Sequence, residues 1–121
     1  MRNDSSSPTM TNVTATGSGG TYSYGVLNNS SSSTIQNSVL SASAGTNNYG
    51  IDNNAPSGFY TVIVNNSQIT GSTNTISNDS EFTTRVGASL SSGGAVSAGS
   101  GTVTCAGVYD ETYAFYASTC P

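Results

Sequence analysis

The 121-residue chain has no histidine, no lysine and no tryptophan, and its only arginines are Arg2 and Arg85. Without histidine, no Ser–His or Cys–His nucleophile pair can be assembled. Two arginines cannot make the basic footprint that displaces counterions from nucleic-acid phosphates, nor a polybasic patch for anionic lipid. No apolar run approaches the about 20 residues that span a bilayer. The first four residues and the serines after them contain no apolar leader segment, so no signal peptide is read there. The two cysteines, Cys105 and Cys120, fall short of a four-ligand zinc site. They read as a local disulfide, which places the chain in an oxidising compartment. Two free cysteines behaving as small apolar residues are the alternative.

Large aliphatic and Phe residues are also scarce. Leu, Ile, Val and Phe total 20, whereas Ser, Thr and Asn total 53. That balance suits a disordered polar linker, but such linkers carry high net charge, and here eight charged residues net only −4. Order has to come from repetition.

It does. Residues 1–25 lie over residues 26–50 without a gap, with 11 of 25 positions identical, among them Asn3/Asn28, Thr9/Thr34, Asn12/Asn37, Tyr24/Tyr49 and Gly25/Gly50. Val26, Ile51 and Ile76 continue the spacing of 25, as do Asn28, Asn53 and Asn78. Copy three carries a four-residue insertion at 55–58, offset by a four-residue loss before Ile76. Within a copy the core slots are Met10, Val13 and Ala15, then Ile35, Ser38 and Leu40, then Val64, Ser67 and Ile69. Such short alternations, cut by Asn and Gly, predict strands and turns and no helix. One unit cannot bury its few apolar side chains, but stacked units align them into a core, about 4.8 Å per coil.

Two asparagine columns punctuate the repeat. Asn12, Asn37 and Asn66 form one, joined by Gly87 in copy four, and Asn28, Asn53 and Asn78 form the other. Both are read as bends, because Asn and Gly tolerate the left-handed backbone that a sharp turn needs. Stacked amides can also hydrogen-bond along the axis.

Segments such as SPTMTNVTA, GTYSYGV and NNSSSSTIQNS resemble the repeats of bacterial right-handed parallel β-helix proteins of the pectate-lyase-like superfold. The tail GTVTCAGVYDETYAFYASTCP resembles the C-terminal end of secreted bacterial repeat proteins of unassigned function. The resemblance implies an all-β chain: a right-handed parallel β-helix of about four coils with a C-terminal β-hairpin cap. It is specific for architecture and poor for activity, because the superfold hosts lyases, hydrolases, adhesins and tailspikes.

The expected organisation is β-helix coils over 1–92, starting in mid-repeat, a Gly/Ser/Ala linker over 93–101, and a disulfide-closed hairpin over 102–121. Arg85 falls in the slot of Met10, Ile35 and Val64, as expected of a final coil. The hairpin turns at 110–112 and lays its aromatic face over the last coil. Tyr109, Tyr113 and Tyr116 double as candidate sugar-stacking residues. The open first coil is expected to meet upstream coils of a longer chain or a second copy.

The acids are too dispersed for chemistry. Asp4 and Asp79 are repeat-equivalent but about three coils, ~14 Å, apart, beyond the roughly 5–10 Å of a glycosidase pair. Asp79 and Glu81 have only Arg85 nearby, which reads as a surface salt bridge. No cofactor or metal is expected. The chain therefore reads as a non-catalytic structural or adhesive solenoid, extracellular or at a cell surface, that contacts glycans. The alternative is the non-catalytic end of a longer polysaccharide-acting enzyme or tailspike. Ice binding through threonine columns is a third reading, weakened because Thr9/Thr34 stops before copy three.

Overall fold

Three-residue strands such as TMT and TIQ bury one side chain each, so nothing in a single repeat is stable alone. The computed structural model describes residues 1–97 and 99–121 and shows how stacking solves this. The first coil comprises β1 (Arg2–Asp4), β2 (Thr9–Thr11) and β3 (Thr14–Ser18). The second is β4 (Tyr22–Asn29), β5 (Thr34–Gln36) and β6 (Val39–Ser43); the third is β7 (Asn47–Asn54), β8 (Tyr60–Asn65) and β9 (Gln68–Gly71). The fourth is β10 (Asn74–Asn78), β11 (Phe82–Gly87) and β12 (Leu90–Gly93), and β13 (Thr102–Ala106), β14 (Val108–Tyr109) and β15 (Phe115–Tyr116) follow. There is no helix among the described residues.

Each coil gives one strand to each of three sheets, ordered β1-β4-β7-β10, β2-β5-β8-β11-β13 and β3-β6-β9-β12-β14-β15. Paired strands run parallel throughout, except the antiparallel pair β14 and β15. The all-β parallel solenoid of about four turns is thus the fold of this chain. Val26, Ile51 and Ile76 lie in register with no exposure, and Ile35, Val64, Leu40 and Ile69 complete the buried column. The Tyr-Gly repeat has a packing cause. A Cβ on Gly25 would lie 2.6 Å from the Gly50 carbonyl oxygen, and one on Gly50 would lie 2.5 Å from Ile69 Cγ2.

The two asparagine columns do different work. Asn12, Asn37 and Asn66 have φ of 57°, 51° and 47°, the left-handed bend expected of them. Asn28, Asn53 and Asn78 do not bend; they sit inside strands of the first sheet with buried side chains. There they form an amide ladder. Asn3 Nδ2 donates to Asn28 Oδ1 at 2.8 Å, Asn28 Nδ2 to Asn53 Oδ1 at 2.8 Å, and Asn53 Nδ2 to Asn78 Oδ1 at 2.7 Å. The top rung donates to the Phe82 and Thr102 carbonyls, so it is satisfied without another asparagine. The positive φ in this part of the coil falls two residues later, at Ser5 and Ser30.

Copy four is read one residue out of register by spacing alone. Gly87 pairs with Asn65, and it is Ala88, with φ 46°, that continues the bend column. Gly87 has ordinary φ; its missing Cβ makes room for the Asn65 amide, whose Oδ1 would stand 2.8 Å from it. The same shift moves Arg85 out of the core slot. It pairs with Ile63 and points to solvent, while Val86, 3% exposed, fills the slot over Val64. The cause is one extra residue in the turn between β10 and β11; the insertion and the loss cancel by β10, where Ile76 pairs with Ile51 at the spacing of 25, and the register slips only after it.

The tail also departs from a simple hairpin. Residues 93–101, expected as a linker, are bound to the coil below: Gly94 N–H donates to the Gly71 carbonyl, Ser97 N–H to Ile76, and Asn78 N–H to Ser97. Ala98, inside that stretch, lies outside the described residues. β13 then stacks parallel on β11, and β14 on β12. Only β15 turns back, pairing Val108 with Tyr116 and Tyr109 with Phe115. The Cys105–Cys120 disulfide is formed. The expected aromatic lid is absent, since Tyr109, Tyr113 and Phe115 are 40%, 75% and 60% exposed. Val103, Cys105, Val108 and Cys120 close the core instead.

Candidate functional site

The bend column lines a long groove. With Gly107, at φ 66°, it runs Asn12, Asn37, Asn66, Ala88, Gly107 from the first coil to the tail. Each backbone N–H on it donates to the next stretch of chain: Asn12 to the Gln36 carbonyl, Asn37 to Asn65, Asn66 to Gly87, Ala88 to Ala106. The bend turns the chain sharply from the second sheet to the third, leaving a concave corner along the axis.

Serines floor this corner. Ser38, Ser67 and Ser89, each one residue past the bend, are buried and hydrogen-bonded twice. Their hydroxyls donate back to the Gln36, Asn65 and Gly87 carbonyls at 2.7–2.8 Å. They accept from the backbone N–H of the equivalent residue one coil earlier, Val13, Ser38 and Ser67, at 3.1 Å. Ser38 and Ser67 occupy slots that the spacing assigns to aliphatic residues, and spacing alone does not reveal this hydrogen-bonded column. The signal was present as Asn-Ser at both bends.

The exposed asparagines form a rail on one wall. Asn66 Nδ2 donates to Asn37 Oδ1 at 2.8 Å. Val39, Gln68 and Leu90, in register on the third sheet, form the other wall. The groove, about 690 Å³, ends against Tyr109 and Tyr113, and none of the residues lining it carries a charge. Two of the three expected tyrosines therefore meet here, beside two of the expected asparagines. Tyr116 does not; it lines a separate cleft of about 210 Å³ with Asp110, Glu111 and Pro121.

Tyr113 is held by its turn. Asp110 Oδ1 accepts from Thr112 N–H, Thr112 Oγ1 and Ala114 N–H at 2.7–3.0 Å, and Asp110 Oδ2 accepts from the Tyr116 hydroxyl at 3.0 Å. Tyr113 itself sits at φ 62°, a conformation that a bulky residue seldom adopts without such support. The Thr112 hydroxyl first, then the backbone N–H groups and the Tyr116 hydroxyl, hold the Asp110 carboxyl below its ordinary range. The same bond raises the Tyr116 phenol. The turn presents Tyr113 at the end of the groove.

Elsewhere the chemistry is sparse. Among the described residues no group of three or more His, Cys, Asp or Glu side chains is placed to hold a metal ion. The only ion pair among them is Arg2 with Asp4, at 2.9 Å, so the expected pairing of Arg85 with Asp79 or Glu81 does not form. The threonine column runs Thr9, Thr34, then Ile63 and Arg85, so this column of hydroxyls stops after two coils.

No protein-family model matches the chain, and no curated protein or solved structure matches it either.

Proposed function

We propose that the chain is a non-catalytic structural or adhesive module, secreted or displayed at a cell surface, that contacts glycans along the bend groove. The observation that carries this reading is the composition of that groove: stacked carboxamides on one wall, Val39 and Leu90 flanking the Gln68 carboxamide on the other, and two tyrosines at the end. Carboxamides match sugar hydroxyls as both donors and acceptors, and tyrosine offers an apolar ring face with a polar tip. The disulfide supports an oxidising, extracellular setting. Coils built from three parallel sheets support a pectate-lyase-like architecture. Among the described residues no strand pairs with the outer edges of β1, β2 and β3, which suits pairing with a further coil or a second copy.

A glycan array probed with the folded chain and with Tyr113→Ala tests the glycan reading. Binding of one or more glycans is expected, weakened about three- to tenfold in Tyr113→Ala. Absence of binding across the array, or a variant that binds as well as the parent, would overturn it.

A further inference from the structure

A second cleft lies on the outer face of the first sheet. β4 and β7 turn Tyr22, Tyr24 and Tyr49 outward in one aromatic cluster. The Tyr22 and Tyr24 ring centres are 6.4 Å apart with planes 4° off parallel, and those of Tyr24 and Tyr49 are 5.8 Å apart at 17°. Three residues past Tyr24 and Tyr49 the register stacks Leu27 under Asp52 and Ser77 over it. Arg2, Tyr24, Leu27, Asn29, Asp52 and Asn54 enclose a cleft of about 210 Å³.

The charges in it are unevenly matched. Arg2 is engaged by Asp4, whose carboxylate also accepts from Asn29 Nδ2 at 3.0 Å. The terminal amine of Met1 donates to the Gly25 carbonyl at 2.7 Å. Asp52 is half-buried and has no cationic partner among the described residues. Burial, with the Asp79 charge adding to it, raises its carboxyl above the ordinary value, against the lowering effect of the Ser77 hydroxyl. Burial first, then the Asp52 charge, raises the Tyr24 phenol. A negative field in a partly desolvated site, beside an aromatic ring, is complementary to a positive ligand.

We propose that this cleft binds an organic ammonium group, seated between the Asp52 carboxylate and the Tyr24 ring. A carboxylate gives the charge partner, and the π-face of tyrosine attracts a cation within about 6 Å of its centre. Leu27 suits the methylenes or methyls attached to the nitrogen, and Asn29 and Asn54 suit neighbouring hydroxyls. The amine of an amino sugar and a quaternary ammonium share this chemistry. The site is independent of the bend groove.

Two-dimensional NMR titration of the whole chain distinguishes these sources and tests the site. Glucosamine and choline are the cationic probes; glucose and 3,3-dimethylbutanol are their uncharged counterparts. At least one cation is expected to shift the Tyr24 ring and Leu27 methyl signals, while its neutral counterpart leaves them unmoved. A response to glucosamine alone assigns an amino sugar, and to choline alone a quaternary ammonium. Asp52→Asn and Tyr24→Leu are each expected to weaken the response about tenfold, and Tyr24→Phe to preserve it, because the ring and not the hydroxyl is used. Unchanged far-UV spectra certify that the variants fold. Equal response to the neutral probes, undiminished binding by Asp52→Asn, or no shift with either cation overturns the proposal.

Discussion

Replacing Asn53 with leucine should destabilise the fold by about 2–4 kcal/mol, because each buried polar group left unpaired costs about 1–3 kcal/mol. Asn53 has no exposure and three side-chain bonds: it accepts from Asn28, and donates to Asn78 and to Thr84 Oγ1 at 3.0 Å. Leucine fills much the same space but strands the Asn28 amide between two coils, where no water reaches. Asn78 keeps the Thr84 hydroxyl as a donor, which limits the damage above the break. The contrast with the other column is informative. Asn37→Leu places a γ-branched residue in the left-handed region at about 1–2 kcal/mol, while its side chain is already in solvent. Asn47→Leu removes only a 3.4 Å contact to the Thr21 carbonyl and should be close to neutral. Chemical denaturation midpoints should therefore fall in the order Asn53, Asn37, Asn47, largest loss first. An Asn53→Leu protein as stable as the parent would mean that the ladder is not the spine of the solenoid.

Breaking the Cys105–Cys120 link by a double change to serine is expected to cost up to about 3 kcal/mol, the loop-closure entropy of its 15-residue span. The loss should be uneven. β13 rests on a full strand of β11, whereas β14 and β15 are two-residue strands held at the sheet edge. Removing the bond leaves little to keep Val108 over the core, so residues 107–121 should fray before the coils unfold. Hydrogen exchange should accelerate there and stay slow through β4 and β7. In the intact protein Cys105 is 2% exposed, and thiol reagents should find nothing to label before reduction. Two reactive thiols in the native chain would contradict the closure.

The same two examples show how far the amino-acid sequence speaks for itself. Positions that repeat at 25 residues, such as Val26/Ile51/Ile76 and Asn28/Asn53/Asn78, were legible because each coil copies the one before it. Which asparagine bends and which stacks was not legible, since one residue type serves both purposes; only the direction of the side chain separates them. The bend column is spaced 25, 29, 22 and 19 residues apart, so periodicity fades just where the tail begins. Turn lengths vary freely outside the core, while strands keep their register, and a one-residue change in a turn relocated Arg85, Val86 and Ala88 together. The shortened last stretch hid β13 and β14, which read as hairpin strands although they stack parallel. The groove residues were partly visible as Asn37, Asn66, Tyr109 and Tyr113. Gln68 and Leu90 were hidden because nothing in their spacing distinguishes an outward wall position.

Labour is divided between two asparagine columns, one buried in a ladder that holds the coils and one exposed along the bend groove. Side-chain amide signals in an NMR titration with the tightest glycan from the array test it most directly. The amide protons of Asn37, Asn66 and Gln68 should shift with the Tyr113 ring, while those of Asn28 and Asn53 remain still. Shifts of the Asn28 and Asn53 amides, or none at the bend groove, would contradict it.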